Sequence, residues 1–343
     1  MRPPSNVDAF EVLCLQAADE GRGEELFGNS IARARSAVAP FILPGEFPSV
    51  YLEFPLMGEP FVDVTVLYGG IEPGARIASD AVGDVGPLID WYSQAREEHD
   101  DITFGFELDT KEATLPKAAI HFQPRKNTQL VAPFCELVGE PERAVLYEQT
   151  DARMPSGWSL SFFGMFRGRP NSPLRVCGYL SREETTACAT DESRLKGVFD
   201  TVGFAAYDNA MLAQVRACMA VAQRDVDFQF DVRSDGAMGD TFAIDLRFGI
   251  EQPHAVRTSY KTGQARRVLG LFEELGAADE RWRSSAGMAF ARALPVELDD
   301  GSLGRYSFVL MPQWVKVRWR DGVLQPSKLY ALGTAGLIDA GNT

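Results

Sequence analysis

The stretch VDFQFDVRSDGAMGDTFAIDLRF, residues 226–248, is the part of the chain that decides the fold most clearly. Apolar and polar residues alternate over Val226–Arg233 and again over Phe242–Phe248, and the turn sequence Ser234-Asp235-Gly236 lies between the two runs. Successive side chains of a strand point to opposite faces of a sheet. The stretch therefore predicts a β-hairpin with one apolar face and one polar face.

The same pattern occurs five times along the chain, with stretches of helical spacing between the hairpins. The predicted strand pairs are Val50–Phe54 with Phe61–Tyr68, Ile102–Asp109 with Lys117–Gln123, Trp158–Phe166 with Leu174–Leu180, Val226–Arg233 with Phe242–Phe248, and Phe308–Trp319 with Ser327–Leu332. The predicted helices are Val7–Glu20, Ser30–Val38, Gly86–Glu98, Thr128–Tyr147, Glu183–Lys196, Tyr207–Gln223 and Gly263–Ala293. The pattern predicts an α+β fold with ten antiparallel strands.

The two faces of these strands differ sharply in polarity. In the fourth hairpin one face carries Val226, Phe228 and Phe230, whereas the other carries Asp227 and Gln229. Helices would cover the apolar face, and the polar face would either meet solvent in an open sheet or line the lumen of a closed barrel. We expect closure, because an open ten-stranded sheet leaves two exposed edges. A ten-stranded barrel has room for a ligand.

Charge and composition exclude several classes of partner. The chain has 343 residues, with 34 Lys+Arg against 48 Asp+Glu and a net charge of −14. A nucleic acid or an anionic membrane would require a basic face, so neither is expected as a partner. The apolar stretches are too short for a membrane span, and residues 1–6 lack an apolar signal core, so we expect a cytoplasmic protein. The chain also lacks a Pro/Gly/Ser-rich linker, which favours one domain over residues 1–343.

The sequence lacks the common signatures of metal and nucleophilic sites. It has three histidines and an odd number of cysteines without C-x-x-C spacing, so we expect reduced, mostly buried thiols and no metal cluster. Gly157–Ser161 lacks the closing glycine of a nucleophile elbow, and there is no phosphate-binding Gly-rich loop. Asp100-Asp101 and Asp299-Asp300 both lack the third acid of a D-D-x-x-D motif.

Five repeats of helices and a hairpin, closed into a ten-stranded barrel, resemble the ABBA or PT-barrel aromatic prenyltransferases. Locally the chain is most similar to bacterial cyanobactin-type peptide prenyltransferases, in Leu52-Glu53 and in a hairpin with Gly105-Phe106-Glu107-Leu108-Asp109-Thr110 and Leu115-Pro116-Lys117-Ala118-Ala119-Ile120. Arg175-Val176-Cys177-Gly178-Tyr179 and Lys328-Leu329-Tyr330 look like strands with which indole prenyltransferases hold a diphosphate and shield a carbocation. The chain departs from the family at Asp63, where a basic residue is often found.

The resemblance implies a PT-barrel domain over residues 1–343 that belongs to natural-product biosynthesis. Its substrates would be an allylic prenyl diphosphate and an aromatic small molecule or a peptide side chain, and no cofactor would be required. Bases on the polar face would bind the diphosphate: Lys117, Arg175, Arg247, Lys316, Arg318 and Lys328. Rings would shield the allylic cation: Tyr179, Trp314 and Tyr330. A carboxylate would accept the acceptor's proton, with Glu53 the first choice and Glu107 the second.

Other interpretations of the same face remain open at this point. Asp227, Asp231 and Asp245 could pair with the bases as ordinary ion pairs. The many acids could also hold a magnesium ion that bridges to the diphosphate, or bind an acceptor that carries positive charge, such as a basic peptide segment. A noncatalytic barrel that binds a small hydrophobic or peptide ligand is the alternative function, and an enzyme of unrelated α+β fold is a third. His121 is expected to be a hydrogen-bonding group rather than a ligand.

Overall fold

The computed structural model describes residues 2–19, 23–110, 118–167, 172–223, 225–298 and 300–338. Within these ranges the helices are α1 (Asn6–Asp19), α2 (Gly23–Phe27), α3 (Ser30–Val38), α4 (Gly86–Glu98), α5 (Val131–Val138), α6 (Glu142–Asp151), α7 (Arg182–Thr190), α8 (Glu192–Val202), α9 (Asn209–Val221), α10 (Val256–Thr262) and α11 (Gln264–Glu274). Short 3₁₀ segments lie at Ala39–Phe41, Thr128–Leu130, Pro253–Ala255 and Glu280–Met288.

The strands in the same ranges are β1 (Ser49–Pro55), β2 (Asp63–Tyr68), β3 (Thr103–Leu108), β4 (Ala119–Gln123), β5 (Trp158–Met165), β6 (Leu174–Leu180), β7 (Val226–Val232), β8 (Met238–Arg247), β9 (Phe290–Glu297), β10 (Leu303–Arg320), β11 (Val323–Leu324) and β12 (Lys328–Ile338). Ten of them follow one another around a barrel, in the order β10-β12-β1-β2-β3-β4-β5-β6-β7-β8. The barrel closes because β10 also pairs with β8, with Trp314 opposite Arg247. The predicted closed antiparallel barrel is confirmed.

The apolar outer face of the barrel packs against the helices, as the alternation predicts. Phe122 of β4 stacks on Phe134 of α5 with ring centroids 4.3 Å apart, and Phe242 of β8 meets Phe199 of α8 at 5.0 Å. The Trp319 indole N–H donates to Gln214 of α9 at 2.8 Å. The main apolar core therefore lies between the barrel and its helices, which leaves the polar strand faces to the lumen.

The predicted helix Gly263–Ala293 is wrong beyond Glu274. Gly276 adopts a left-handed conformation with φ of 75°, and a left-handed residue ends a right-handed helix. Glycine is suited to this position because residues with a Cβ rarely adopt that conformation. The chain then forms the 3₁₀ segment Glu280–Met288 and the strand β9, which pairs with the first part of β10. The alternation over β9 is weak, so the sequence did not indicate this strand.

Two other predicted helices are broken in the middle. Thr128–Tyr147 is a 3₁₀ turn followed by α5 and α6, which are separated at Gly139 with φ of 80°. Glu183–Lys196 is divided at Asp191, whose side chain accepts a hydrogen bond from the Ser193 amide as the N-cap of α8. The longest described helix, α1, has 14 residues. Among the described residues, no helix combines the length and apolar character needed to cross a membrane.

A β-bulge in β5 changes which side chain faces the lumen. The register with β6 shifts between Leu160 and Phe162. As a result Phe162 lines the lumen cavity, whereas simple alternation places Ser161 there. A bulge adds one residue to a strand and so reverses the faces beyond it.

All five cysteines are free and buried, as expected: Cys14, Cys135, Cys177, Cys188 and Cys218. Burial raises the pKa of the Cys14 and Cys135 thiols to about 12. At that pKa the thiols are protonated at neutral pH, so they behave as small apolar side chains rather than as nucleophiles.

Candidate active site

The lumen contains two adjoining cavities, one of about 320 Å³ and one of about 230 Å³. We call the larger the upper compartment; it is bounded by Tyr51, Arg125, Tyr179, Asp227, Asp245, Arg247 and Trp314, among others. We call the smaller the lower compartment; it is bounded by Phe61, Asp63, Asp109, Arg175, Gln229, Arg318 and Lys328, among others. Four residues line both: Glu53, Glu107, Lys316 and Tyr330.

Strand positions explain the separation of the two compartments. Asp63 and Lys328 begin β2 and β12, and Arg318 lies near the end of β10, so the lower compartment is at the hairpin-turn end of the barrel. Arg247 ends β8 and Tyr179 lies near the end of β6, so the upper compartment is at the end where helices connect the hairpins. The shared residues occupy the middle of the lumen.

In the lower compartment two predicted diphosphate ligands are already held by acids. The Lys328 ammonium lies 2.7 Å from Asp63 Oδ2 and 3.9 Å from Glu53 Oε2. The Arg175 Nε donates to Asp231 Oδ1 at 3.1 Å, across the β6–β7 pair. Burial works against the Lys328 charge, but Asp63, Glu53 and Glu107 together raise the pKa of its ammonium. Any anion that binds these bases must compete with the carboxylates.

Arg318 differs from those bases. Its guanidinium lines the lower compartment and has no hydrogen bond or ion pair with any of the described residues. Burial and the charges of Arg175 and Arg320 lower its pKa. An anion that binds beside such a destabilised cation stabilises the charged form of the side chain. Arg318 is thus the base in this compartment that is best prepared to receive an anion.

The upper compartment also contains ion pairs. Arg247 Nη2 donates to Asp227 Oδ2 at 2.7 Å, and Lys316 Nζ lies 3.8 Å from Asp245 Oδ2. Asp227 and Asp245 are directly opposite each other in the β7–β8 register. Each keeps a second carboxylate oxygen, Oδ1, that is buried and without a hydrogen-bond partner in the described structure.

Aromatic rings form one wall of the upper compartment. Trp314 stacks on Tyr330 with centroids 5.3 Å apart and planes 15° apart, and Tyr51 contacts Trp314 at 4.8 Å. Lys316 Nζ lies 5.1 Å from the Tyr330 ring centroid, and the Arg247 guanidinium lies 5.5 Å from the Trp314 centroid. The wall therefore already contacts cations, as the negative faces of aromatic rings do.

Glu53 and Glu107 have opposite pKa shifts although both are buried in the same lumen. Burial and the charge of Glu107 raise the pKa of Glu53, whose Oε1 accepts a hydrogen bond from the Thr65 hydroxyl. Burial acts on Glu107 in the same direction, but His121, whose Nε2 lies 3.1 Å from Glu107 Oε2, and Arg175 hold its pKa well below the usual range. Two carboxyls with separated pKa values suit different roles, and the raised one suits a proton acceptor near neutral pH.

Most residues predicted for the site lie in the lumen. The structure brings together Glu53, Glu107, Arg175, Tyr179, Arg247, Trp314, Lys316, Arg318, Lys328 and Tyr330. Lys117 lies outside the described residues. What each side chain binds stays a prediction. His121 contacts Glu107, which agrees with its expected part as a hydrogen-bonding group.

Sequence reasoning missed the lumen residue Arg125 and gave Tyr51 no role in the site. Arg125 follows β4 in a loop, with a left-handed φ of 55°, and its Nη1 donates to the Tyr179 hydroxyl at 2.6 Å. No alternation extends into that loop, so nothing in the sequence pattern placed Arg125 in the lumen. Strand alternation places Tyr51 on the polar face of β1 with Glu53, and the structure shows it in contact with Trp314 in the aromatic wall.

Comparison with known proteins supports the architecture. No protein-family model and no curated protein matches the chain. Among solved structures, 5-dimethylallyltryptophan synthase from Streptomyces coelicolor is 13% identical and aligns over 96% of this chain and 97% of its own, with a TM-score of 0.52. NotF prenyltransferase is 9% identical and aligns over 97% of this chain and 96% of its own, with a TM-score of 0.51. The chain therefore has the PT-barrel fold.

Proposed function

We propose that the protein is a prenyltransferase that moves an allylic prenyl group from its diphosphate to an aromatic or peptide side-chain acceptor inside the barrel. The observation that carries the proposal is the position of Glu53, a buried carboxylate with a raised pKa that lines both compartments. On one side of it are the cations of the lower compartment, and on the other is the aromatic wall. The same fold is found in 5-dimethylallyltryptophan synthase and NotF prenyltransferase.

The lower compartment would bind the diphosphate of the donor. Arg318 would contact it first, because its charge is not neutralised within the described structure. Lys316, Arg175 and Lys328 line the same cavity and would turn toward the new anion. Fixed charged donors in a cavity sheltered from water stabilise the developing diphosphate charge. When the allylic C–O bond breaks, its electron pair leaves with the diphosphate oxygen.

The upper compartment would hold the acceptor and the allylic cation. The faces of Trp314, Tyr330 and Tyr51 stabilise a cation at close range. The acceptor's nucleophilic atom attacks the allylic carbon, and the new bond forms with the acceptor's electron pair. The displaced proton passes to the Glu53 carboxylate. The products are the prenylated acceptor, diphosphate and one proton.

Further aspects of the proposal concern cofactor, organisation and location. We propose that no cofactor is required, because the lumen bases can neutralise the diphosphate. A magnesium ion held between the diphosphate and lumen acids is the alternative route to the same neutralisation. We also propose that residues 1–343 form one PT-barrel domain of a cytoplasmic enzyme of natural-product biosynthesis. Five buried free thiols fit a reducing compartment.

A noncatalytic barrel that binds a small hydrophobic or peptide ligand is the second candidate function. It is favoured by the pairing of four lumen bases with acids: Arg175 with Asp231, Arg247 with Asp227, Lys316 with Asp245, and Lys328 with Asp63. Breaking these pairs costs free energy that a diphosphate must supply. A ligand without a phosphate group would leave all four pairs intact.

Incubation with dimethylallyl, geranyl and farnesyl diphosphates separates the two candidates. Each donor is combined with indole, phenol and short peptide acceptors, and the products are analysed by mass spectrometry with the Glu53→Gln variant as control. We expect a prenylated acceptor from the wild-type protein and diphosphate released in equal amount. If calorimetry shows no binding of any of the three diphosphates and no product forms, the noncatalytic function replaces the prenyltransferase.

A further inference from the structure

The mechanism described above gives no role to Asp227 and Asp245, which lie opposite each other on β7 and β8. Both residues line the upper compartment, and their side chains are only 8% and 13% exposed. Like charges directly opposite each other on neighbouring strands are unfavourable. One ion pair for each of these two buried carboxylates therefore compensates their negative charge only in part.

The hydrogen-bond partners of the pair are incomplete in a specific way. Asp227 Oδ2 accepts from Arg247 at 2.7 Å, and Asp245 Oδ2 faces Lys316 at 3.8 Å. Lys316 in turn donates to Gln229 Oε1 at 3.2 Å, so its charge is shared. The Oδ1 atoms of both aspartates are buried and have no partner in the described structure. Buried polar atoms are normally paired, so the chain itself compensates the negative charge of this pair incompletely.

The charges that line the upper compartment are unequal. Four carboxylates border it: Glu53, Glu107, Asp227 and Asp245. Against them stand three side chains with permanent positive charge: Arg125, Arg247 and Lys316. His121 is bonded to Glu107 and Lys328 lies 3.9 Å from Glu53, so the carboxylates whose charge a cationic ligand would balance are Asp227 and Asp245. Burial raises the pKa of Asp245 to about 6 and also raises that of Asp227, although Lys316 and Arg247 act in the opposite direction.

The wall beside the pair suits the same kind of ligand. Arg247 bonds to Asp227 and also lies over the Trp314 ring, which continues into the stack with Tyr330 and Tyr51. An aromatic group packed on this wall would hold a short cationic arm near the aspartates. The Trp314 Nε1 is itself buried without a partner in the described structure.

From this arrangement we propose that the upper compartment selects an acceptor with a positively charged amine or guanidine, bound by the carboxylates of Asp227 and Asp245. The inference rests on the proposed function, because it names the chemical class of the acceptor in that reaction. An organic cation fits better than a divalent metal. The two aspartates already contact Arg247 and Lys316, and no group of three or more metal-ligating side chains occurs in the described ranges.

Calorimetric titration without a prenyl donor tests the inference directly. The probes are tryptamine and tryptophol, which share the indole and the arm length but end in an ammonium and a hydroxyl group. We expect tryptamine to bind about 10- to 100-fold more tightly, the effect of a charge-assisted hydrogen bond. In an Asp227→Asn/Asp245→Asn double variant the two probes should bind equally, with tryptophol affinity nearly unchanged.

The control is Asp235→Asn, in the exposed turn between the same two strands, which should keep the full preference for tryptamine. Thermal unfolding of every variant confirms that it is folded. Equal binding of the two probes by the wild-type protein, or no binding at millimolar concentration, overturns the inference. Tight magnesium binding that the double variant abolishes also overturns it, by assigning the aspartates to a metal.

The outcomes also distinguish this inference from the proposed function. If tryptamine is preferred but no allylic diphosphate reacts, the cation subsite stands and the transferase proposal fails. If allylic diphosphates react equally well with tryptamine and tryptophol, and the two probes bind equally, the transferase stands and the cation subsite fails.

Discussion

The lower and upper compartments are built on the same alternating strands, yet their charges are arranged differently. The lower compartment contains Arg318, a cation with no partner among the described residues. The upper compartment contains two carboxylate oxygens, of Asp227 and Asp245, that are buried without a partner there. The stacked rings of Trp314 and Tyr330 form a wall of the upper compartment, whereas four bases and four acids line the lower one. On this difference rests the proposal of an anion in the lower compartment and an aromatic cation in the upper one.

Glu53 lies where the two compartments meet. This position explains why Glu53, rather than Glu107, is proposed as the proton acceptor. Its register partners are Asp63 on β2 and Tyr330 on β12, so it touches the ion pair of one compartment and the ring wall of the other. Glu107 is instead held in its charged form by His121 and Arg175. A carboxylate fixed as an ion in a hydrogen-bonded pair is a weak proton acceptor.

The largest effect is expected from Glu53→Gln. This change keeps the size and hydrogen bonding of the side chain but removes the proton acceptor, so turnover should fall about 10²- to 10⁴-fold. Donor affinity, measured by calorimetry with an allylic diphosphate, should change little. Glu107→Gln is the matched comparison and should lose less activity. Normal turnover in Glu53→Gln together with an inactive Glu107→Gln would move the role to the neighbouring hairpin.

An intermediate effect is expected from Arg318→Ala in the lower compartment. Loss of a charge-assisted contact should weaken diphosphate binding about 10- to 100-fold, while tryptamine affinity should stay the same. Arg320→Ala is the control, because Arg320 lies two residues further along β10 and is exposed. If Arg318→Ala weakened the binding of both ligands equally, the lumen would be one site rather than two compartments.

The smallest effect concerns stability and pH in the upper compartment. The folded protein raises the pKa of Asp245 from 3.8 to about 6, by burial against the opposing charges of Lys316, Arg247 and Arg175 and with the added charge of Asp227. Its ionisation therefore destabilises the fold as pH rises through about 6, and has no effect well below the unfolded value. Asp245→Asn should raise the free energy of unfolding by about 1 to 2 kcal/mol near neutral pH, since the lost contact with Lys316 offsets part of the gain.

Urea denaturation of both proteins at several pH values checks this expectation. Asp235→Asn should have the opposite sign, because the hydrogen bonds of the turn lower the pKa of that exposed carboxylate. If Asp245→Asn destabilises the protein equally at every pH, the carboxylate is a stabilising ion-pair partner of Lys316 rather than a buried charge awaiting a ligand.

Strand alternation predicted the ten strands and most of the lumen side chains, and closure was expected because an open sheet leaves two exposed edges. Successive side chains of a strand point to opposite faces. The apolar side chains of β7 and β8 therefore face the helices and the polar ones face the lumen, as their sequence indicates. The sequence could not indicate which bases are neutralised. Arg318 and Lys328 are both basic residues on the polar face of a strand, so the sequence does not distinguish them. The structure shows that Lys328 Nζ donates to Asp63 and that Arg318 has no such acid partner among the described residues.

Local irregularities account for other differences. The bulge at Ser161 exchanges the lumen-facing and helix-facing sides of the rest of β5. Arg125 enters the lumen from a loop, where it adopts a left-handed conformation itself. Among the described strands, β9 pairs with the first part of β10 and with no other, and its sequence shows little alternation. Neither bulges nor loop conformations leave a periodic pattern in the residues that form them.

The central claim is that the donor diphosphate and a cationic acceptor occupy different compartments on either side of Glu53. A crystal structure with a non-reactive allylic thiolodiphosphate and tryptamine tests it most directly. We predict diphosphate oxygens within hydrogen-bond distance of Arg318, and the ammonium group within hydrogen-bond distance of Asp227 and Asp245. Diphosphate bound to Arg125 and Arg247 in the upper compartment, or an indole in the lower one, would contradict the account.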